Sequence, residues 1–276
     1  MKRTSGVWLF ALPLTLATGC TPSGAPQKIV TTGSLYEEMI DLAGLAELPD
    51  PFYKTVQFSS YDRRSNLPEG PGWFANSDGF GGEPIPGFDS VLVAPGADSV
   101  GEYLMAEVEG PGALVRLWTA RIDGEVRLYL DGAEEPLFRG SADDFFRRPL
   151  DAFDEIAELD AAAMVGTLYQ RDGTYTPIPF ARGLRLVWIG NLDHTHFYQI
   201  EVRKYAPGTR VETFRPEDLR TYRESIDRAT GALADPDTKL PYRSQQNPTH
   251  VTLTLEPGEG VDGLALEGPG ALERLE

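Results

Sequence analysis

The sequence has 276 residues, and its 42 Asp plus Glu outnumber its 25 Lys plus Arg, giving a formal net charge of −17 at pH 7. A surface this acidic repels phosphate backbones, which argues against nucleic acid as a partner. Cys20 is the sole cysteine, so the chain cannot form an intrachain disulfide. The 29 glycines and 22 prolines are typical of a fold with many turns rather than of a helical bundle.

The N-terminus has the order of an export signal. A Lys-Arg pair precedes an apolar run over residues 7–16, which is shorter than the roughly 20 residues a membrane-spanning helix needs. Small residues then lead into Cys20, in a pattern that resembles the lipobox of bacterial lipoproteins. We predict a cleaved signal peptide over residues 1–19, lipidation of Cys20 and a flexible tether over residues 20–33. An ordinary secretory signal with an incidental cysteine is the alternative.

This prediction places the protein outside the cytoplasm. The lipid would anchor it to a membrane, and the remaining chain would face the periplasm or the cell exterior.

Helical spacing opens the first domain. Ser34 and Glu37 have the spacing of a capping box, in which two side chains satisfy free amides at a helix start. Apolar residues follow at helical intervals and end before Pro49: Leu35, Met39, Leu42 and Leu45. The pattern predicts one short N-terminal helix.

After this helix, apolar residues recur at every second position instead of at helical spacing. Apolar and polar residues alternate over residues 126–131, 198–203 and 251–255, as in half-buried strands. Residues 113–122 and 184–189 are apolar on both faces, as in strands inside a sandwich. With Gly or Pro turns between them, these segments predict an all-β fold, a jelly-roll β-sandwich.

Two helical segments interrupt the strands. Apolar residues at helical spacing predict a short acidic helix: Leu150, Phe153, Ile156 and Leu159. Pro216 suits a helix first residue, and an apolar stripe then continues to Gly231: Leu219, Tyr222 and Ile226. The acidic residues of 143–160 could suggest a calcium site, but they are more typical of the wet face of a helix.

A repeat divides the chain. Residues 109–117 read EGPGALVRL and residues 267–275 read EGPGALERL, which agree at eight of nine positions. We interpret them as two copies of one β domain. The predicted organisation is a first jelly roll over 34–214, a helical connector over 215–248 and an incomplete start of a second jelly roll over 249–276. We expect a fragment of a longer protein or a truncated gene.

Seven motifs in order resemble one family. They are SSYDRRS (59–65), WFANSDGFG (73–81), VEGPGALVRLW (108–118), LYLDGAEEP (128–136), DDFF (143–146), PIPF (177–180) and FYQIEVRKY (197–205). The set resembles domain-of-unknown-function family 2961, associated with glycoside hydrolase family 172. The resemblance implies tandem jelly rolls, exo-acting hydrolysis or transfer of arabinofuranosides and fructofuranosides, and a possible homotrimer. It also implies that the catalytic glutamates belong to the second jelly roll, beyond residue 276, so we assign no catalytic residue.

The motifs also suggest contacts to a polysaccharide or oligosaccharide. The predicted substrate-binding residues are Tyr61, Asp62, Arg63, Trp73, Asn76 and Asp78. The best local candidates for the two carboxylates that glycoside hydrolysis needs are those in the shared motifs: Asp62, Asp78, Asp143 and Asp144. An Asp-Arg pair at 62–63 can orient a sugar hydroxyl, and the indole of Trp73 can stack on a sugar ring. A structural ion pair and buried packing are the alternatives for these two features.

The sequence predicts no metal and no cofactor. His194 and His196 form an H-x-H that could share a metal on one strand face, but a turn before the strand at Phe197 explains the pair equally well. Two functions remain open. One is a furanoside-directed glycosidase that is catalytically incomplete as given, and the other is a non-catalytic carbohydrate-binding or scaffolding lipoprotein.

Overall fold

The computed structural model describes residues 28–61, 69–70, 90–157, 159–240, 252, 254 and 256–260. The predicted signal peptide with Cys20, the second copy of the repeat and five predicted substrate-binding residues lie outside the described residues. Those five are Asp62, Arg63, Trp73, Asn76 and Asp78.

Within the described ranges, strands dominate and the helices are short. The strands are β1 (Tyr53–Ser59), β2 (Ser90–Val93), β3 (Val100–Glu109), β4 (Gly112–Ile122), β5 (Glu125–Leu130), β6 (Phe138–Ser141), β7 (Tyr169–Gln170), β8 (Gly173–Thr174), β9 (Ile178–Phe180), β10 (Gly183–Asn191) and β11 (Thr195–Tyr205). The helices are α1 (Thr32–Met39), α2 (Ala142–Arg147), α3 (Asp154–Ala157), α4 (Ala161–Met164), α5 (Asp218–Thr221), α6 (Arg223–Ala234) and α7 (Pro236–Lys239). None of these helices is long and apolar enough to cross a membrane.

Two antiparallel sheets form a sandwich, as the sequence predicts. In the part of the chain that the structure describes, one sheet has six strands in the order β1-β11-β4-β8-β7, and β9 also pairs with β4. The other has five strands in the order β2-β3-β10-β5-β6. The register between β11 and β4 is long and places Ile200 opposite Leu117.

The main core lies between the sheets, where the alternating residues predicted it. Tyr198, Ile200 and Val202 of β11 are fully buried, and Val126 and Leu128 of β5 face them from the other sheet. Their neighbours along each strand lie on the outer faces because successive side chains of a strand point to opposite sides. The two outer faces are therefore where polar side chains can reach solvent.

The chain crosses from one sheet to the other at the EGPGAL motif. Glu109 ends β3 in the five-stranded sheet, and Gly112 begins β4 in the six-stranded sheet. A Cβ at Gly112 would lie 2.5 Å from Phe180 Cζ and 2.7 Å from the carbonyl oxygen of Arg203. Only glycine fits so close to a neighbouring backbone, which gives this motif a physical reason.

The N-terminal helix begins earlier than predicted. Thr31, not Ser34, is the N-cap of α1, and its Oγ1 accepts a hydrogen bond from the Ser34 N–H at 3.1 Å. Ser34 Oγ accepts in return from the Thr31 N–H at 2.9 Å, so Ser34 occupies the third helical position. The predicted apolar stripe also ends early, because the helix stops at Met39 and Leu45 is 82% exposed.

The later helical segments are more broken than predicted. The acidic segment forms a 3₁₀ turn at Asp151–Phe153 followed by α3. The helix expected from Pro216 begins at Asp218, because Pro216 lies in the preceding turn and its carbonyl accepts from the Leu219 N–H at 3.2 Å. It is then interrupted at Tyr222 before α6 continues past Gly231 to Ala234. Both Leu219 and Ile226 enter the main core.

Candidate functional site

The outer face of the six-stranded sheet has an unusual mixture of side chains. On β11, Gln199 and Glu201 alternate with core residues and therefore lie on this face. On β4, Arg116 and Trp118 flank the buried Leu117 and share the same face. Tyr175 follows β8 and lies beside Arg116. We call Arg116, Trp118, Tyr175, Gln199 and Glu201 the aromatic face.

Hydrogen bonds fix the polar part of the aromatic face. Arg116 Nη1 donates to Gln199 Oε1 at 3.1 Å and to Glu201 Oε1 at 2.9 Å. The side chains of Arg116 and Glu201 are 24% and 27% exposed, so solvent screens this ion pair only in part. The guanidinium therefore holds a carboxylate and an amide in set positions at the surface.

The aromatic rings line the edge of this polar group. Trp118 is half-buried, and its cross-strand neighbours are Gln199 on β11 and Gly173 on β8. Gly173 has no side chain to cover the indole, and a Cβ there would lie 2.4 Å from the carbonyl oxygen of Leu117. Tyr175 is 44% exposed, with Arg116 Cζ 5.9 Å from its ring centroid.

Tyr61 is the predicted substrate-binding residue that the structure describes. It follows β1, two residues after Ser59, which is paired with Gln199. The Ser60 hydroxyl accepts from the Tyr198 N–H at 3.0 Å and ties the end of β1 to β11. Tyr61 is 48% exposed. β1 therefore ends beside the aromatic face.

Part of the same outer face is covered by the N-terminal segment. Val30, Leu35, Ala113 and Tyr205 form a small second core between the sheet and the N-terminal segment. Burial raises the pKa of the Tyr205 phenol to about 12. At the edge of this covered region, Arg203 contacts both the sheet and α1. Its Cζ lies 4.4 Å from the ring centroid of Tyr53, and its Nη1 lies 2.7 Å from Oε1 of Glu38 on α1. The covered region therefore borders the aromatic face on one side, whereas Thr55 and Gln57 of β1 are exposed on the same face of the sheet.

Two other predicted features lie elsewhere. Asp143 and Asp144 are in the first turn of α2, where Asp143 accepts from Arg147 at 2.8 Å. His194 ends a 3₁₀ turn and its Nδ1 lies 3.8 Å from Asp123 Oδ2, whereas His196 is on β11 opposite Arg121. No group of three His, Cys, Asp or Glu side chains within the described ranges could hold a metal ion.

A groove of about 700 Å³ lies beside α6, and four of its five charged lining residues are paired with other charges. Arg223 lies 3.7 Å from Asp227, and Arg228 bonds to Glu224 at 2.9 Å and also to Glu37. Hydrogen bonding to Glu37 is the main cause that raises the pKa of Arg228. These contacts are along and between helices, so they explain the charges as structural.

Sequence reasoning missed most of the aromatic face. Arg116 and Trp118 are within the quoted motif VEGPGALVRLW, and their position on either side of Leu117 was a usable signal. Gln199 and Glu201 are within the quoted motif FYQIEVRKY and are the polar residues of the alternation over 198–203. No sequence signal marks Tyr175 or shows that these residues meet Arg116, because their strands are far apart in the chain.

A family model agrees with the suspected resemblance. The GH172 first beta-sandwich domain matches residues 51–222, more than half of the chain, and this range contains the whole aromatic face. The chain belongs to glycoside hydrolase family 172. Curated proteins offer no match to the chain.

Because the chain belongs to family 172, the chemistry to consider at the aromatic face is glycoside hydrolysis and saccharide binding. Glycoside hydrolysis generally uses two carboxyl groups on opposite sides of the scissile bond. In the described part of this face, Glu201 is bonded to Arg116 rather than placed beside a second carboxyl group. Aromatic rings can pack on the apolar side of a sugar, while Gln199 and Glu201 accept hydrogen bonds from its hydroxyls. The arrangement suits holding a saccharide.

Proposed function

We propose that the chain acts on furanosides, by hydrolysis or transfer of arabinofuranosyl or fructofuranosyl groups, and that the aromatic face holds the glycan. Family membership supports the carbohydrate-directed role. The observation that carries the proposed site is the open pair of rings, Trp118 and Tyr175, around the bonded Arg116. Jelly-roll sandwiches commonly bind saccharides in this way, with rings for stacking and fixed polar groups for orientation.

Non-catalytic carbohydrate binding or scaffolding is the second candidate function. The Arg116–Glu201 ion pair at 2.9 Å favours it, because a carboxylate held in place by a guanidinium can accept a hydrogen bond from a sugar hydroxyl and so orient the sugar.

Binding tests the face itself. The purified full chain is titrated by calorimetry with arabinofuranosyl and fructofuranosyl oligosaccharides. Loss of ring packing should weaken binding about tenfold in Trp118→Ala and about threefold to tenfold in Tyr175→Ala. Tyr129→Ala is the matched control, since Arg185 Cζ lies 5.9 Å from its ring centroid on the other sheet.

The control should bind as the wild type does. Thermal melts check that each variant folds, and Trp118→Phe replaces Trp118→Ala if the latter unfolds. Equal affinity of Tyr175→Ala and wild type, or an equal loss in Tyr129→Ala, would contradict the proposed site.

Turnover would distinguish an enzyme from a binding protein if it is observed. The same protein is incubated with synthetic arabinofuranosides and fructofuranosides, and release of the leaving group is followed. Turnover that falls in Tyr175→Ala but not in Tyr129→Ala supports the furanoside-directed enzyme. Tight binding without any turnover fits both candidate functions, because the resemblance implies that the catalytic glutamates belong to the second jelly roll.

We also propose that the protein is an exported lipoprotein attached to a membrane through Cys20. The order of basic, apolar and small residues before that cysteine supports it. Labelled palmitate fed to expressing cells should enter the wild type and not Cys20→Ala. Unlabelled, soluble wild-type protein would refute the anchor.

A further inference from the structure

A second cavity, of about 310 Å³, lies beside the hairpin of β7 and β8. Three arginines line it: Arg147 and Arg148 at the end of α2, and Arg171 at the hairpin turn. Val165 and Tyr169 supply apolar wall. Three arginines lining one small cavity are unexpected in a chain with a net charge of −17.

Arg147 has a structural role in this cavity. Its Nε lies 2.8 Å from Asp143 Oδ1 and its Nη1 3.0 Å from Asp172 Oδ1, and it also donates to the carbonyl of Arg171. Burial alone would lower the pKa of Arg147, but the hydrogen bonds to the two carboxylates raise it overall. Arg147 is therefore a fixed cation that joins α2 to the hairpin.

The other two arginines are not neutralised in this way. Arg148 is exposed and has no ion pair among the described residues. Arg171 is 94% exposed, and its Nε is 3.7 Å from Asp172, a carboxylate that Arg147 already holds at 3.0 Å. Both residues line the cavity, and the ion pairs among the described residues leave guanidinium donors of each unused.

Tyr169 does not compete for an incoming anion. Its hydroxyl donates to Asp151 Oδ1 at 3.0 Å, and burial together with that carboxylate raises the pKa of the phenol. The buried ring can contribute apolar contact only. Free arginine donors above an apolar wall fit a small organic anion, because guanidinium binds carboxylate and sulfate oxygens in pairs.

The cavity adjoins the aromatic face. Gly173 of β8 pairs with Trp118, and the Thr119 N–H donates to the carbonyl of Asp172 at 2.9 Å. Arg171 is two residues before Gly173, so the same hairpin carries a cavity arginine at its turn and Tyr175 after its second strand.

We infer that the cavity lined by Arg148 and Arg171 binds the anionic group, carboxylate or sulfate, of an acidic sugar. This deepens the proposed function, on which it rests, by naming acidic saccharides as ligands. The volume is at the lower end of the range for ligand sites and suits one sugar ring. The acidic surface around it disfavours long polyanions.

Binding of three monosaccharides to the full chain tests this inference: glucuronate, glucose 6-sulfate and neutral glucose. We expect one or both charged sugars to bind at least about tenfold more tightly than glucose, with affinity falling as salt rises. The tighter of the two identifies the preferred anionic group. The double variant Arg148→Gln/Arg171→Gln should lose this preference, whereas Arg185→Gln on the other sheet should keep it.

Equal affinity for glucose and both charged sugars would overturn the inference, as would full binding by the double variant. A neutral arabinofuranosyl oligosaccharide keeps this test separate from that of the aromatic face. It should lose affinity in Tyr175→Ala and keep it in the double arginine variant. If glucuronate binds through the two arginines while the neutral oligosaccharide does not bind, the anion site stands and the proposed furanoside function fails.

Discussion

The two outer faces of the sandwich contain similar Arg–Tyr contacts, but the side chains around these contacts differ. Each face has an arginine whose Cζ lies 5.9 Å from a tyrosine ring centroid, Arg116 with Tyr175 and Arg185 with Tyr129. On the five-stranded sheet the remaining polar residues neutralise one another in a ladder. There, Glu125 accepts from Arg127 at 2.6 Å and from Arg139 at 3.1 Å.

The six-stranded sheet instead combines its ion pair with an amide and an indole. Arg116 divides its donors between Glu201 and Gln199, and Trp118 lies beside a glycine rather than a bulky neighbour. The comparison shows that an Arg–Tyr contact does not by itself mark a site. What distinguishes the aromatic face is open ring surface next to fixed acceptors.

The largest expected difference between the two sheets is in how much stability is lost when a glycine in an outer strand is replaced by alanine. In Gly173→Ala the new Cβ would meet the Leu117 carbonyl oxygen at 2.4 Å, so the β7–β8 hairpin must move away from β4. We expect a loss of about 1–3 kcal/mol, typical of overpacking, and weaker saccharide binding because Tyr175 moves too. Thermal melts and calorimetric titration measure both effects.

Gly140→Ala on β6 is the matched change in the other sheet. Its Cβ would lie 3.2 Å from Phe138 Cζ, a side-chain atom that can shift. We expect less than about 1 kcal/mol and unchanged binding. Equal destabilisation by the two variants would mean that the close approach at Gly173 is not the relevant constraint.

An intermediate difference is expected between the two ion pairs. Double-mutant cycles with Gln substitutions should give a coupling of about 1 kcal/mol for Arg116 and Glu201, which are half-buried and 2.9 Å apart. For Arg185 and Glu107, 44% and 60% exposed and 3.9 Å apart, the coupling should be below about 0.3 kcal/mol. Urea unfolding at fixed pH and salt provides the four stabilities of each cycle. Similar couplings would remove the electrostatic distinction between the faces.

The smallest expected effect depends on pH. Burial alone would raise the pKa of Glu125, but hydrogen bonds from Arg127 and Arg139 lower it below its ordinary 4.5. A carboxyl group with a lowered folded-state pKa stabilises the fold above its unfolded-state pKa, and this is lost as the pH falls through the folded-state pKa. Glu125→Gln should therefore cost up to about 1 kcal/mol at neutral pH, less at high salt.

Urea midpoints at neutral pH and near pH 3 test this expectation. The deficit of Glu125→Gln should shrink below about pH 4.5, as protonation removes the same charge from the wild type. Glu107→Gln, whose arginine lies 3.9 Å away, is the control and should change little. A deficit that is as large in acid as at neutral pH would show that packing, not charge, explains the effect.

Several elements were predictable because they depend on local pattern. The alternation at residues 198–203 and 126–131 predicted two strands and their core-facing side chains. The start of α1 was not predictable in the same way, since Thr31 and Ser34 are both good caps. Backbone hydrogen bonds decide between them: the Val30 N–H donates to the Arg210 carbonyl and the Glu212 N–H to the Val30 carbonyl, both at 2.9 Å. These bonds keep the chain extended up to Thr31.

Motif residues can also be structural rather than functional. Asp131, within LYLDGAEEP, has a positive φ of 56° and its Oδ1 accepts from the backbone N–H groups of Arg182 at 2.6 Å and Gly183 at 3.1 Å. It also bonds to the hydroxyl of Thr213. In this motif Asp131 therefore stabilises a turn. A sequence match alone does not distinguish such a structural residue from a substrate-binding one.

The sequence by itself determined the sandwich class, the two faces of the alternating strands at 126–131 and 198–203, and the family. These follow from hydrophobic periodicity and glycine-rich corners, which are properties of neighbouring residues. Only the tertiary structure decided that Arg116 meets Glu201, 85 positions away, and that Gly173 lies beside Trp118. Strand order and register determine these contacts, and both depend on packing across the whole domain. The residues of the aromatic face therefore come together only in the folded sheet.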